Sequence, residues 1–298
     1  MSPRIAVTVS PKSIEELVQS FSQSFFLICI LTTLFWGTSF IQFYVYLNSF
    51  YYEDSWKLKG YTFVMWIIDF VQQIAILRYG YRVFVREDGE SVLSKAIRPD
   101  WGELPLVLLS TAIVELLVQL FYIRRIWILS NGNIPLLVVV SISVLGQQAI
   151  SAYFIEEICK FIIAPKLEDY LSILSIVARA TYATIAFTEI LLAFVLVLLL
   201  RSRRSGLKHS DTLLDKLVRY AISSGSVTAL NATAATISIS AFPDSFLHFL
   251  FGSLKAKLYA NAMLALLNSR TSIRNEQNRA PDGQDLIGDN IQRSRARR

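Results

Sequence analysis

Seven long apolar segments, separated by short polar connections, dominate the chain. They lie near residues 24–46, 60–84, 104–127, 134–157, 171–200, 220–242 and 246–267. A helix needs about 20 mostly apolar residues to cross a bilayer core of roughly 30 Å. Helices are the default here, because backbone groups find no water inside a bilayer and must bond within the segment. The pattern predicts an all-α fold, an integral membrane bundle of seven transmembrane helices.

Composition supports this interpretation. The 298 residues are 53% hydrophobic and 17% charged, whereas soluble domains carry about 25% charged residues. A large soluble helical bundle is disfavoured, because its helices seldom stay apolar on every side. We expect an N-terminal extracellular tail and helix start at 1–20, a seven-span domain at 21–270, and a disordered basic cytoplasmic tail at 271–298. A capping box, Ser13 with Glu16, suggests where the first helix starts.

Lysine and arginine collect in three regions that seven spans would put on one side of the membrane. These residues are Arg124, Arg125, Arg201, Arg203, Arg204, Lys208, Lys216, Arg219, Arg270, Arg274, Arg279, Arg293, Arg295, Arg297 and Arg298. Because such charges favour cytoplasmic connections, we expect the N-terminus outside and the C-terminus in the cytoplasm. This topology favours the plasma membrane, with basic inner loops that could receive a cytoplasmic partner. The charges mark topology and give no support to nucleic-acid binding.

Polar residues inside the spans share helical faces. They are Asp69, Gln72 and Gln73 in span two; Thr111, Glu115 and Gln119 in span three; Arg179, Tyr182 and Glu189 in span five; Ser224, Thr228, Asn231, Ala235 and Ser238 in span six; and Lys257, Asn261 and Asn268 in span seven, which begins with Lys255 and Lys257. From these we take a candidate intramembrane polar site, consisting of Asp69, Gln72, Glu115, Gln119, Glu189, Asn231 and Asn261.

Two interpretations of this polar site stay open. A charged group at bilayer depth costs about 2.5–3.5 kcal/mol, so these side chains are expected to face the bundle interior. They either line a cavity that binds a ligand or conducts an ion, or they only hydrogen-bond between helices. If Asp69 or Glu189 faced lipid, its replacement by Leu would stabilise the protein. We expect both to face an interior hydrogen-bond network, so that Asp69→Leu and Glu189→Leu each cost about 1–3 kcal/mol. The isosteric Asp69→Asn and Glu189→Gln are expected to be nearly neutral for folding.

The sequence contains no catalytic or metal-binding pattern. His209 and His248 lie in connections on opposite sides of the predicted membrane, so they cannot share one metal site. Cys29 and Cys159 have no metal-ligand spacing and are interpreted as packing residues. We therefore expect no enzyme activity and no cofactor.

Several segments resemble the seven-span proteins that are abundant in mushroom-forming fungi and grouped as a domain of unknown function. They include Trp66-Ile-Ile-Asp69, Val118-Gln119-Leu-Phe-Tyr122, Lys257-Leu-Tyr-Ala-Asn261 and Leu266-Leu-Asn-Ser-Arg270. The resemblance covers roughly residues 25–274. Gln72 stands where similar proteins often have His, which weakens a proton-relay role for Asp69. Glu189 stands where they tend to have Asp, which keeps the carboxyl. The resemblance implies a fungal membrane protein with this topology and no particular activity.

The functional expectation is based mainly on the predicted membrane architecture. Seven spans, an outside N-terminus and inner basic loops favour a receptor- or sensor-like protein that binds a small or lipid-like ligand between its helices. This is an argument from analogy of fold. A transporter or channel is the alternative, although no internal repeat and no central helix break is evident. A structural membrane protein is the third class.

Overall fold

The computed structural model describes residues 11–50, 54–85, 103–163, 167–202, 208–242 and 247–279. Within these ranges the chain forms seven α-helices, and no described residue lies in a strand. The helices are α1 (Pro11–Phe50), α2 (Trp56–Phe84), α3 (Glu103–Leu129), α4 (Ile134–Ile163), α5 (Leu167–Ser202), α6 (Lys208–Ala241) and α7 (Leu247–Arg279).

Five of the described helices, α1 to α5, are long and apolar enough to cross a membrane. The protein is therefore an integral membrane protein that is all-helical over the residues that the structure describes. Helices α6 and α7 are 34 and 33 residues long, or about 50 Å each at 1.5 Å per residue, so length permits them to cross as well. Both have a more polar composition than α1 to α5. The seven-span count and the orientation stay predictions.

The helices form a closed ring. Each helix packs against the next along the chain, and α7 packs against α1 and closes the circle. Helix α3 reaches across the centre to contact α5 and α7, and α2 also contacts α7. Most residues of α7 from Leu250 to Ser269 are consequently buried. The last helix is thus the one most enclosed by its neighbours, although it is among the least apolar.

Apolar and polar side chains are distributed as a lipid environment requires. Large hydrophobic residues such as Leu34, Ile142 and Phe187 are more than 60% exposed on the outside of the ring. Inside it, carboxylates, lysines and amides are buried beside apolar clusters. In lipid this arrangement is favourable, because polar groups are stabilised only where protein partners satisfy them.

The connection between α3 and α4 is a tight turn. Asn131 has a φ of 54° and Gly132 a φ of 78°, both in the left-handed region. The Gly132 amide donates to the Trp127 carbonyl at 3.1 Å, and the Asn133 side chain accepts from the Leu136 amide at 3.1 Å. One helix is closed and the next is capped within four residues. Helices α3 and α4 are therefore held as antiparallel neighbours.

Two helix ends differ from the predicted boundaries. Helix α1 begins at Pro11, ahead of the capping box at Ser13; proline is favoured in the first turn, where its missing N–H costs nothing. Helix α7 continues to Arg279, which extends it into the segment predicted as a disordered tail. Residues 254–279 contain neither glycine nor proline, so nothing in this stretch breaks the helix. Residues 280–298 and the segment 203–207, which contains Arg203 and Arg204, lie outside the described residues.

Candidate functional site

Two buried ion pairs connect α7 to its neighbours. The Lys257 ammonium lies 2.8 Å from the Asp69 carboxylate of α2, and the Lys255 ammonium lies 2.6 Å from the Glu115 carboxylate of α3. Positions two apart on a helix point roughly 200° from each other, so the two lysines face opposite ways. The Lys257 and Asp69 side chains are fully buried, and Lys255 is only slightly exposed.

The Asp69 pair lies in a polar layer between α1, α2 and α7. Lys257 also donates to the Asp69 backbone carbonyl at 2.8 Å. The amide of Asn261 donates to the Lys257 carbonyl at 2.8 Å and to the Phe35 carbonyl of α1 at 2.9 Å. Gln72 donates to the Thr111 hydroxyl of α3 at 2.6 Å. The predicted polar face of span two therefore binds α7 and α3.

Glu115 is the centre of a second layer. Its Oε2 receives Lys255, while its Oε1 accepts from Gln147 of α4 at 2.6 Å and lies 3.2 Å from the Tyr259 hydroxyl. Gln119, one turn further along α3, donates to Gln147 at 2.9 Å. Three helices thus meet at one fully buried carboxylate.

Glu189 of α5 extends this layer. Its Oε1 lies 2.6 Å from the Tyr259 hydroxyl, and its Oε2 accepts from the Thr228 hydroxyl of α6 at 2.9 Å. The described residues give Glu189 no lysine or arginine partner. We call the connected side chains the carboxylate network; they are Glu115, Gln119, Gln147, Glu189, Thr228, Lys255 and Tyr259.

The Tyr259 hydroxyl lies between the two carboxyl groups of this network, within hydrogen-bond distance of both. A tyrosine hydroxyl has a single hydrogen, which it can donate to Glu115 or to Glu189 but not to both. Both contacts are satisfied when one of the two carboxyls is protonated and donates to the tyrosine oxygen. The carboxylate network can therefore hold one proton between α3 and α5.

A partly open cavity of about 60 Å³ lies beside the network, between α3, α4, α5 and α7. Apolar side chains including Val107, Leu108, Phe154 and Ile185 line most of it. Glu115 and Lys255 line it as well, so the ion pair is part of its wall. The predicted topology puts this end of the bundle outside the cell.

Ser151 contributes a further polar group to the cavity. The residue is 6% exposed, and its hydroxyl has no hydrogen-bond partner among the described residues. A buried hydroxyl without a partner is costly, and in native structures it usually bonds to water or to a ligand. The cavity therefore combines an apolar lining with an ion pair and an unsatisfied hydroxyl.

The seven predicted site residues fall into three places. Asp69, Gln72 and Asn261 belong to the Asp69 layer, and Glu115, Gln119 and Glu189 belong to the carboxylate network. Asn231 of α6 is separate: its amide donates to the Phe251 carbonyl of α7 at 2.9 Å. Of the three predicted carboxylates, only Glu115 lines the cavity.

The prediction that Arg179 shares the buried face of span five is wrong. Arg179 is exposed, whereas Tyr182 and Glu189 are buried. Tyr182 and Glu189, seven residues apart, differ by only about 20° around the helix, but Arg179 lies a further 60° away. The guanidinium near the start of the span is thus free to reach the membrane surface.

The sequence pattern does not predict four residues of the network as site residues. It places Lys255 at the start of span seven and Thr228 on the polar face of span six, and it gives no role to Gln147 or Tyr259. The signal for Gln147 was available, since it lies in the middle of an apolar span and its amide needs a partner there. Tyr259 gave no such signal, because tyrosine is common in apolar segments.

Residues 185–272 match a protein family described as a family of unknown function, DUF6534. The match runs from the second half of α5 through most of α7, and it includes Glu189, Thr228, Lys255, Lys257 and Tyr259. No curated protein and no solved structure matches the chain. The fungal origin and the seven-span family stay predictions, because the match carries neither. The chain is similar, over residues 185–272, to a family whose function is unknown.

Proposed function

We propose that the protein is a receptor- or sensor-like membrane protein that binds a small or lipid-like ligand in the cavity between α3, α4, α5 and α7. The observation that carries this proposal is that the Glu115–Lys255 ion pair forms part of the wall of an otherwise mostly apolar cavity. Sites for small molecules are typically apolar clefts with a few convergent polar groups, and this cavity has that character. The proposal includes no catalytic step.

The ion pair also supplies a route for a response. Lys255 holds Glu115 at 2.6 Å, and Glu115 is linked through Tyr259 to Glu189. A ligand that draws Lys255 away from Glu115 would change hydrogen bonds on α3, α4, α5 and α7. Coupling of this kind needs an element with two arrangements that the ligand biases. In this proposal the carboxylate network is the element with two arrangements. The proposal also places the protein in the plasma membrane, with a cytoplasmic partner that binds at the basic inner loops.

The experiment is a thermal-shift screen of the purified protein against lipids and metabolites, with a variant that fills the cavity. Ala112 lines the cavity, so Ala112→Leu should reduce any ligand-dependent shift. Ala183 of α5 is exposed and absent from the cavity lining, so Ala183→Leu is the matched control and should keep the shift. A panel without a single shift, or a shift that Ala112→Leu leaves unchanged, would contradict the proposal.

Proton transport is the second candidate, and the Tyr259 bridge favours it. Two carboxyls joined by one hydroxyl form a site at which a proton can be exchanged between helices. Proteoliposomes that acidify in response to a pH gradient, and that lose this flux with Glu189→Gln, would favour transport over sensing.

A further inference from the structure

We propose that the cavity takes a neutral amphiphile whose head group is a single oxygen, a hydroxyl or a carbonyl, that accepts hydrogen bonds from both Lys255 and Ser151. This inference rests on the proposed function and names the class of its ligand. The Lys255 ammonium has three N–H bonds, and Glu115 is its one partner among the described residues. The Ser151 hydroxyl has none. The cavity wall therefore offers donors that an oxygen acceptor would satisfy.

An anionic head group does not suit this wall. Glu115 already neutralises Lys255 at 2.6 Å, and a second carboxylate bonded to the same ammonium would lie close to the first. Glu189, joined to Glu115 through Tyr259, is a further acidic group nearby. Like charges in a site of low dielectric disfavour each other, so a ligand carboxylate would be rejected.

A cationic head group is disfavoured by Lys255, the positively charged member of the ion pair. An ammonium entering the cavity would approach the Lys255 ammonium, which lines the same wall. The Glu115 oxygens are already engaged by Lys255, Gln147 and Tyr259, so they have little capacity left for a new cation. A neutral oxygen is the head group that leaves the charge of this wall unchanged.

The rest of the ligand should be apolar. Val107, Leu108, Phe154 and Ile185 line the cavity beyond the polar wall. A hydrocarbon body would bury its surface against them, and a second polar group would have to enter without a partner. The cavity encloses about 60 Å³ and is partly open, so it holds the head group and the first carbons of a short body, and the remaining carbons extend through the opening.

The test uses the purified full-length chain and four probes with the same six-carbon body: hexan-1-ol, hexan-2-one, hexanoate and hexylamine at pH 7. We expect the alcohol and the ketone to bind at least about tenfold more tightly than either ion, and Ser151→Ala to weaken the neutral probes about two- to tenfold. Ser141→Ala, ten residues earlier on α4 and absent from the cavity lining, is the matched control and should bind all four probes as the wild type does.

The outcomes separate this inference from the proposed function. Preference for hexanoate or hexylamine would overturn the neutral head group and leave a ligand-binding cavity in place. Neutral probes that bind Ser151→Ala as well as wild type, or four probes that do not bind, would also overturn the inference. The proposed function falls only if the wider lipid and metabolite panel gives no shift that Ala112→Leu removes.

Discussion

Asp69 and Glu189 are both buried carboxyls on apolar helices, but their partners differ in charge. Asp69 faces the Lys257 ammonium at 2.8 Å. Glu189 faces the hydroxyls of Thr228 and Tyr259, which are neutral and can either donate or accept. An amide in place of each carboxyl therefore has different consequences, although the sequence alone predicted the same near-neutral effect for both.

We predict that Asp69→Asn destabilises the protein by about 3–5 kcal/mol, because it leaves the Lys257 charge buried without a counter-charge. Glu189→Gln should cost less than about 1 kcal/mol, since the hydroxyls around it can reorient toward an amide. The measurement is thermal unfolding in detergent. Replacing both partners of the ion pair, in Asp69→Leu with Lys257→Met, should recover most of the loss. Equal losses for the two amide variants would contradict the different roles.

At the scale of helices, one glycine of α6 and one of α7 lie where the neighbouring helix α5 approaches closely. A Cβ built at Gly225 of α6 would lie 2.7 Å from the Ala193 Cβ of α5. A Cβ at Gly252 of α7 would lie 2.6 Å from the Tyr182 hydroxyl of α5. Small residues of this kind let helix backbones approach closely in a bilayer, where van der Waals packing drives association.

We predict that Gly225→Ala destabilises the contact between α5 and α6 by about 1–3 kcal/mol, because the two Cβ atoms cannot both fit. Gly146→Ala on α4 is the matched control: its added Cβ meets nothing within 4 Å, so alanine should stabilise by up to about 1 kcal/mol through helix propensity. Thermal unfolding of both variants compares them. Ala193→Gly should restore Gly225→Ala, and a Gly225→Ala protein as stable as wild type would refute the contact.

At the scale of the molecule, the sides of the membrane on which Asp244 and the C-terminus lie distinguish seven spans from five. Asp244 lies between α6 and α7, and the C-terminus follows α7. Seven spans put Asp244 outside and the C-terminus in the cytoplasm. Five spans, α1 to α5 alone, would leave both on the same side. We expect seven, because α7 is a member of the ring and packs against α1, α2, α3 and α6, and its charged residues Lys255 and Lys257 are paired toward the interior. Charges satisfied inside a bundle lower the hydropathy of a helix without exposing it to lipid.

Reporters fused after Arg298 and inserted at Asp244 test this topology. We predict a cytoplasmic signal from the first and an external signal from the second. Replacing Arg201, Arg203 and Arg204 with glutamine should increase the misoriented fraction, because these charges hold the end of α5 on the cytoplasmic side. Glutamine substitutions of the exposed residues Arg78 and Lys160, at the predicted outer end, serve as the control and should not invert the protein. Both reporters on one side would indicate five spans.

Helix positions and the buried faces of α2 and α3 could be predicted from the sequence by itself. Apolar segments of about 20 residues and polar groups spaced three or four apart are local properties, and backbone bonding in a bilayer converts them directly into helices and faces. The sequence thus determined that Asp69, Glu115 and Gln119 point inward, as their burial confirms. The sequence pattern did not distinguish Arg179 from the buried face of α5, because Arg179 lies at the edge of that face.

Only the tertiary structure decided which polar groups meet. Lys255 and Lys257 are only two residues apart in the sequence, but they pair with carboxylates on different helices, because the helix turns them to opposite sides. Tyr259 joins Glu115 to Glu189 because α3, α5 and α7 converge at the centre of the ring. Which polar groups pair depends on how segments far apart along the chain pack together. No local sequence pattern specifies that packing.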